Sequence, residues 1–81
     1  MYQIRNTKSE LIINVAKSNI EYLEFNICDI NGNKIISKEF GMTGHEQTLI
    51  TDISNLQSGT YICNLVSNGL KIGEYKFIII K

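Results

Sequence analysis

The chain has 81 residues, with eight Lys plus Arg against eight Asp plus Glu, so it carries no formal net charge at pH 7. One domain fits that length, and the charge balance lacks the basic stripe on which nucleic-acid binding rests. At 43% hydrophobic residues the chain is no disordered tail. A domain this small hides only about 60–65% of its unfolded surface, which provides a core but hardly a deep substrate pocket as well, and so argues against a self-sufficient enzyme.

The composition favours strands. There are fifteen Ile and nine Asn, with no Trp and no Pro, and β-branched side chains suit a pleated surface better than a helix. No apolar run approaches the roughly 18 residues of a membrane span; the longest, Phe77-Ile78-Ile79-Ile80, is one strand's worth. Met1 is followed by no charged stretch and apolar segment of the secretory type.

Taken in chain order, period-2 alternation dominates. Tyr2 to Ile4 reads as a short edge strand. Leu11, Ile13 and Val15 alternate with Ile12 and Asn14, and Lys17-Ser18-Asn19 reads as a turn. Leu23, Phe25 and Ile27 then alternate with Glu24, Asn26 and Cys28. Asn31-Gly32 follows, a pair suited to a two-residue type I′ turn, and Lys34 to Phe40 returns as the hairpin partner. Gly41 to Gly44 is a loop and His45 to Thr51 a strand. In the connection from Asp52 to Gly59, Ile53 and Leu56 have the three-residue spacing of a single 3₁₀ turn and tuck under the sheet. Tyr61, Cys63 and Leu65 form the inward set of the next strand, Asn68-Gly69 makes a second hairpin turn, and Leu70 to Lys81 closes the chain with Gly73 as a bulge. The expectation is an all-β, small antiparallel immunoglobulin-like β-sandwich of six to seven strands, one domain over residues 1–81.

No constellation carries chemistry. Asp29-x-Asn31-x-Asn33 resembles a calcium loop, but Gly32 stands fourth and Phe40 twelfth, where an EF-hand needs Gly sixth and Glu twelfth. Asp29 is expected instead to accept backbone N–H bonds at its turn. His45, the only histidine, reads as a solvated loop residue with no partner nucleophile. Cys63 is mid-strand, where burial raises a thiol pKa. Cys28 and Cys63 fall on opposite faces and are expected as reduced thiols rather than a disulfide. Ser54 and Ser58 belong to no nucleophile elbow. No catalytic residue, no metal ligand and no cofactor is expected. Tyr61, just after Gly59-Thr60, has the placement of a tyrosine corner. Tyr22 and Tyr75 are expected in core or edge packing rather than in an outward aromatic patch. Several of Lys34, Lys38, Lys71, Lys76 and Lys81 fall outward, where lysines discourage edge pairing or face a receptor.

The order of these features resembles a known family. Thr7-Lys8-Ser9-Glu10-Leu11, then Phe25-Asn26-Ile27-Cys28-Asp29-Ile30-Asn31-Gly32, then Leu56-Gln57-Ser58-Gly59-Thr60-Tyr61, then Lys76-Phe77-Ile78-Ile79-Ile80-Lys81 together resemble the type A C-terminal sorting domain of the Bacteroidota type IX secretion system, over roughly residues 4–81. Where the family opens on a Pro-Asn-Pro-like stretch, this chain has Ile4-Arg5-Asn6.

The resemblance implies a folded address at the tail of a larger exported protein. It implies recognition by the outer-membrane translocon and its shuttle, removal by a sortase-like peptidase, and delivery of the N-terminal cargo through the periplasm to the cell surface or the medium. It singles out Asp29, Gly32, Gly59, Tyr61, Lys76 and Lys81: Gly32 and Gly59 for backbone geometry, Tyr61 for the core and the lysines for contact. The competing reading is an immunoglobulin-like adhesion or carbohydrate-binding accessory module that depends on Tyr22 or Tyr75.

Overall fold

The computed structural model describes residues 2–16, 22–41 and 46–81. The expected turn at Lys17-Ser18-Asn19, the Met42–Gly44 part of the expected loop, and His45 lie outside the described residues. Seven strands run in the order β1 (Tyr2–Asn6), β2 (Glu10–Ala16), β3 (Tyr22–Asp29), β4 (Lys34–Gly41), β5 (Glu46–Asp52), β6 (Gly59–Ser67) and β7 (Leu70–Ile79). They form a three-stranded sheet, β1-β2-β5, and a four-stranded sheet, β4-β3-β6-β7, with every pairing antiparallel. The chain changes sheet after β2, β4 and β5, the connectivity pattern of a small immunoglobulin-like sandwich.

The alternation read from the sequence is the core. Leu11, Ile13 and Val15 of β2 face Leu23, Phe25 and Ile27 of β3 and Tyr61, Cys63 and Leu65 of β6, all buried together with Leu49, Phe77 and Ile79. Phe25 is fully buried and its ring stacks on Phe40 with centroids 5.8 Å apart. Ile53 and Leu56 close one end of the core, with Leu56 N–H donating to Ile53 C=O at 3.1 Å, the i to i+3 bond expected from their spacing.

Each side of the sandwich is closed by a pair of edge strands. On one side Lys38 of β4 pairs opposite Phe25, which puts it on the inner-face parity of its strand, so it is not among the lysines that fall outward. Its positive charge favours the ionised Asp52 carboxylate of β5, though less than the Ser54 hydrogen bonds do. A charge on the inner side of an edge strand resists a further strand. On the other side β1 lies against β7. Tyr75 Oη donates to Asn6 Oδ1 at 2.7 Å, and the Tyr2 ring covers Gly73.

Two turn readings separate. Asn68 and Gly69 have φ of 53° and 80° and join directly paired Ser67 and Leu70, as a type I′ hairpin requires. The turn at Asn31-Gly32 is not of that type. There only Gly32 has positive φ, at 86°, and Gly32 N–H donates to Asp29 C=O at 3.0 Å. A longer turn forms because Asp29 supplies acceptors that a two-residue loop would not use. Gly41, expected in a loop, continues β4, and β5 begins at Glu46 and reaches Asp52. The bulge or bend expected at Gly73 falls beside it: the β6–β7 register shifts between Leu65 and Val66, whose partners are Gly73 and Lys71, which leaves Ile72 as the extra residue. A second bulge, at Ile35, breaks the β3–β4 register.

Candidate functional site

The long axis of the molecule is 37 Å, and the six residues singled out in the sequence gather toward one end of it. Asp29 pairs with Tyr61 across β3 and β6, Tyr61 with Phe77, Ile62 with Lys76, and Gly59 with Ile79. Gly32 sits in the turn that follows Asp29. Lys81, past the end of β7, donates its backbone N–H to Ser58 Oγ at 2.9 Å and its Nζ to Ser54 C=O. Residues from three stretches of sequence therefore meet at a single pole, opposite the Asn68-Gly69 hairpin.

That pole is held by side-chain to backbone bonds. Asp29 Oδ1 accepts from the backbone N–H groups of Asn31 and Asn33, each at 2.9 Å, and Oδ2 accepts from the Asn33 side-chain amide at 3.2 Å. The Asn33 backbone donor above all holds the Asp29 carboxyl below its ordinary 3.8, because bonds to the ionised form favour it. This is the turn-organising role expected for Asp29. Tyr61 Oη donates to Gln57 C=O at 2.7 Å, four residues back, and its ring stacks on Phe77 with centroids 5.8 Å apart. The tyrosine corner is thus present, and it pins the 53–58 connection to β6. Asp52 Oδ1 accepts from Ser54 N–H at 2.9 Å, and the Ser54 side chain first, then this N–H, holds that carboxyl below 3.8 as well. Thr7 Oγ1 accepts from Glu10 N–H at 3.0 Å, and Ile53 N–H donates to Ser9 C=O at 2.8 Å, so the first turn is tied to the same connection.

Gly59 has φ of 159°, and a Cβ there would make ordinary contact with the Tyr61 ring at 3.8 Å. Lys76 and Lys81 are exposed. Cys63 is fully buried and Cys28 partly so; both thiols are free, and burial pushes the Cys63 thiol up to about 12, away from nucleophilic use at neutral pH. Among the described residues, no group of three His, Cys, Asp or Glu is placed to hold a metal ion, and no helix is long and apolar enough to cross a membrane.

The two tyrosines considered as an outward patch do not form one. Tyr22 is exposed on the outer face of its sheet, whereas Tyr75 pairs with Cys63 on the inner-face parity and stacks on Phe77 with centroids 5.9 Å apart. Sequence reasoning missed two features here. One is the Asn26–Ser37 bond on the outer sheet face, 2.7 Å long, which lets Asn26 be buried. The other is the partnership of Asn6 with Tyr75, residues too far apart in sequence for any local pattern to join.

Residues 7–81 match the family described as the secretion system C-terminal sorting domain. The chain belongs to that family. The match spans nearly the whole chain and includes every residue of the pole, while β1 lies before its start. Membership makes the chain a type IX sorting signal and ties it to export to the cell surface or extracellular space. Neither a curated protein nor a solved structure matches the chain.

Proposed function

We propose that this domain is a non-catalytic address, carried at the C-terminal end of a larger exported protein, that directs its N-terminal cargo across the outer membrane. The partners in this reading are the outer-membrane translocon and its shuttle, followed by a sortase-like peptidase that separates the domain from its cargo. The cargo passes through the periplasm and ends at the cell surface or in the medium. The observation that carries the reading is the family match over residues 7–81, a span that includes the whole pole. In this reading Asp29 and Gly32 shape the β3–β4 turn, Gly59 and Tyr61 fix the start of β6, and Lys76 and Lys81 make the contact.

The test is a fusion. A periplasmic reporter placed upstream of residue 1 is expressed in a host with a working type IX system and in the same host lacking its translocon. Reporter in the medium or on the cell surface only when the translocon is present supports the reading. Reporter that stays in the periplasm of both hosts overturns it.

A further inference from the structure

The four sheet edges are not equally protected. β4 carries the Ile35 bulge and the inner-face Lys38, β5 is flanked by Glu46 and Asp52, and β1 is only five residues long. These devices discourage strand addition. β7 is different. It is an edge strand, and β1 covers only its first part, through Tyr2 on Gly73 and Asn6 on Tyr75. At Thr7 the chain turns back, with Thr7 N–H donating to Glu10 C=O at 2.8 Å. Among the described residues, no strand pairs with the outer edge of β7 from Lys76 onward.

The gap is a groove of about 580 Å³. Its walls are Asn6, Thr7, Lys8 and Ser54 on one side and the Ile78–Lys81 end of the chain on the other. Ile78 and Ile80 share one parity and are 60% and 78% exposed. The charged side chains of the lining are those of Lys8 and Lys81, with no Asp or Glu among them. Lys81 Nζ bonds Ser54 C=O, and an ammonium with three donors has others to offer.

We propose that this groove receives an extended acidic peptide segment of a partner protein, which adds as a strand to the open edge of β7 between Lys76 and Ile80. Main-chain hydrogen bonds would hold the segment, as in other cases of strand addition. Alternate apolar side chains would cover Ile78 and Ile80, and carboxylates would meet Lys8 and Lys81. The positive lining selects an acidic segment over a basic one. The inference uses the sorting reading only to say whose segment this is: it belongs to the export machinery.

The experiment titrates the 81-residue chain with a ten-residue peptide of alternating Glu and Val and follows backbone amide shifts and hydrogen exchange. Saturable shifts at Lys8 and Ile78–Ile80, with slowed exchange along that stretch, are expected. A peptide of alternating Lys and Val should not bind. Lys8→Glu, an exposed change that leaves the core intact, should weaken the Glu-Val peptide about fivefold. Equal binding of both peptides, shifts confined to β4 or β5, self-association of the chain through β7, or no shift at millimolar peptide would each overturn the proposal. Failure here is separable from failure of the sorting reading. Peptide binding without export keeps the groove and removes that reading; export without peptide binding does the reverse.

Discussion

The ring of Tyr2 occupies the space that a side chain at position 73 would need. A Cβ built on Gly73 would lie 2.6 Å from Tyr2 Cε2 and closer still to the ring tip. This contact, with the Asn6–Tyr75 bond, locks the first strand to the last and makes β1 part of the folded unit although the family match begins after it. The pair defines a double-mutant cycle. Gly73→Ala should destabilise the domain by about 1–2 kcal/mol, because the added methyl forces the ring outward. In a Tyr2→Ala background the same change should be neutral within about 0.5 kcal/mol. Urea unfolding of the four proteins measures both values, and equal costs in the two backgrounds would show that the close approach carries no energy.

Tyr61→Phe keeps the stacked ring and deletes only the hydroxyl that donates to Gln57 C=O. A loss of about 1 kcal/mol is expected. The loss should be accompanied by faster hydrogen exchange at Leu56, whose N–H bonds Ile53 within the same connection. An unchanged melting curve and unchanged exchange would remove the tyrosine corner from the forces that hold the pole.

Acid should loosen the β3–β4 turn. Asp29 is held below its ordinary 3.8 in the fold, chiefly by the Asn33 N–H. A depressed folded value contributes stability above the unfolded value and loses it as pH falls through the folded one. The Asp29 contribution is therefore complete at neutral pH and fades below 3.8. Asp52, held low by Ser54, behaves with the same sign. Urea midpoints between about pH 5 and about pH 2 should fall less steeply for Asp29→Asn than for the wild type, and parallel slopes would contradict the assignment.

The two thiols should differ sharply in labelling. Cys63 is fully buried with its thiol pushed up to about 12, so only Cys28 should react with a thiol reagent at neutral pH in the native protein. Both should react once the protein is unfolded. Native labelling of Cys63 at the rate of Cys28 would show that the core opens far more readily than its packing implies.

Much of the sandwich was legible because its inner faces obey strict alternation. The inward sets of β2, β3 and β6 are those that the parity of Leu11, Phe25 and Cys63 predicts, and Asn68-Gly69 carries its turn type in two letters. Local pattern failed where a side chain overrode it. Asp29, two residues before Asn31-Gly32, captures the backbone donors of that turn and lengthens it. Which lysines fall outward was not legible in β4, because the Ile35 bulge shifts the strand parity by one residue, a shift that no polar or apolar letter records. The pole was legible only as an ordered set of motifs; its convergence depends on registers such as Asp29 with Tyr61 and Gly59 with Ile79, which join distant stretches of chain. The Tyr2–Gly73 and Asn6–Tyr75 contacts had no sequence signal beyond a glycine in a strand.

The central claim is that the pole bearing Lys76 and Lys81 is what the export machinery reads. The most direct measurement compares the location of one upstream reporter fused to three forms of the domain: wild type, Lys76→Glu with Lys81→Glu, and Leu70→Ser with Ile72→Thr at the opposite pole, all confirmed as folded by thermal melting. The account predicts export for the wild type and the Leu70/Ile72 variant, with periplasmic retention for the Lys76/Lys81 variant. Export of the Lys76/Lys81 variant at the wild-type level would contradict it.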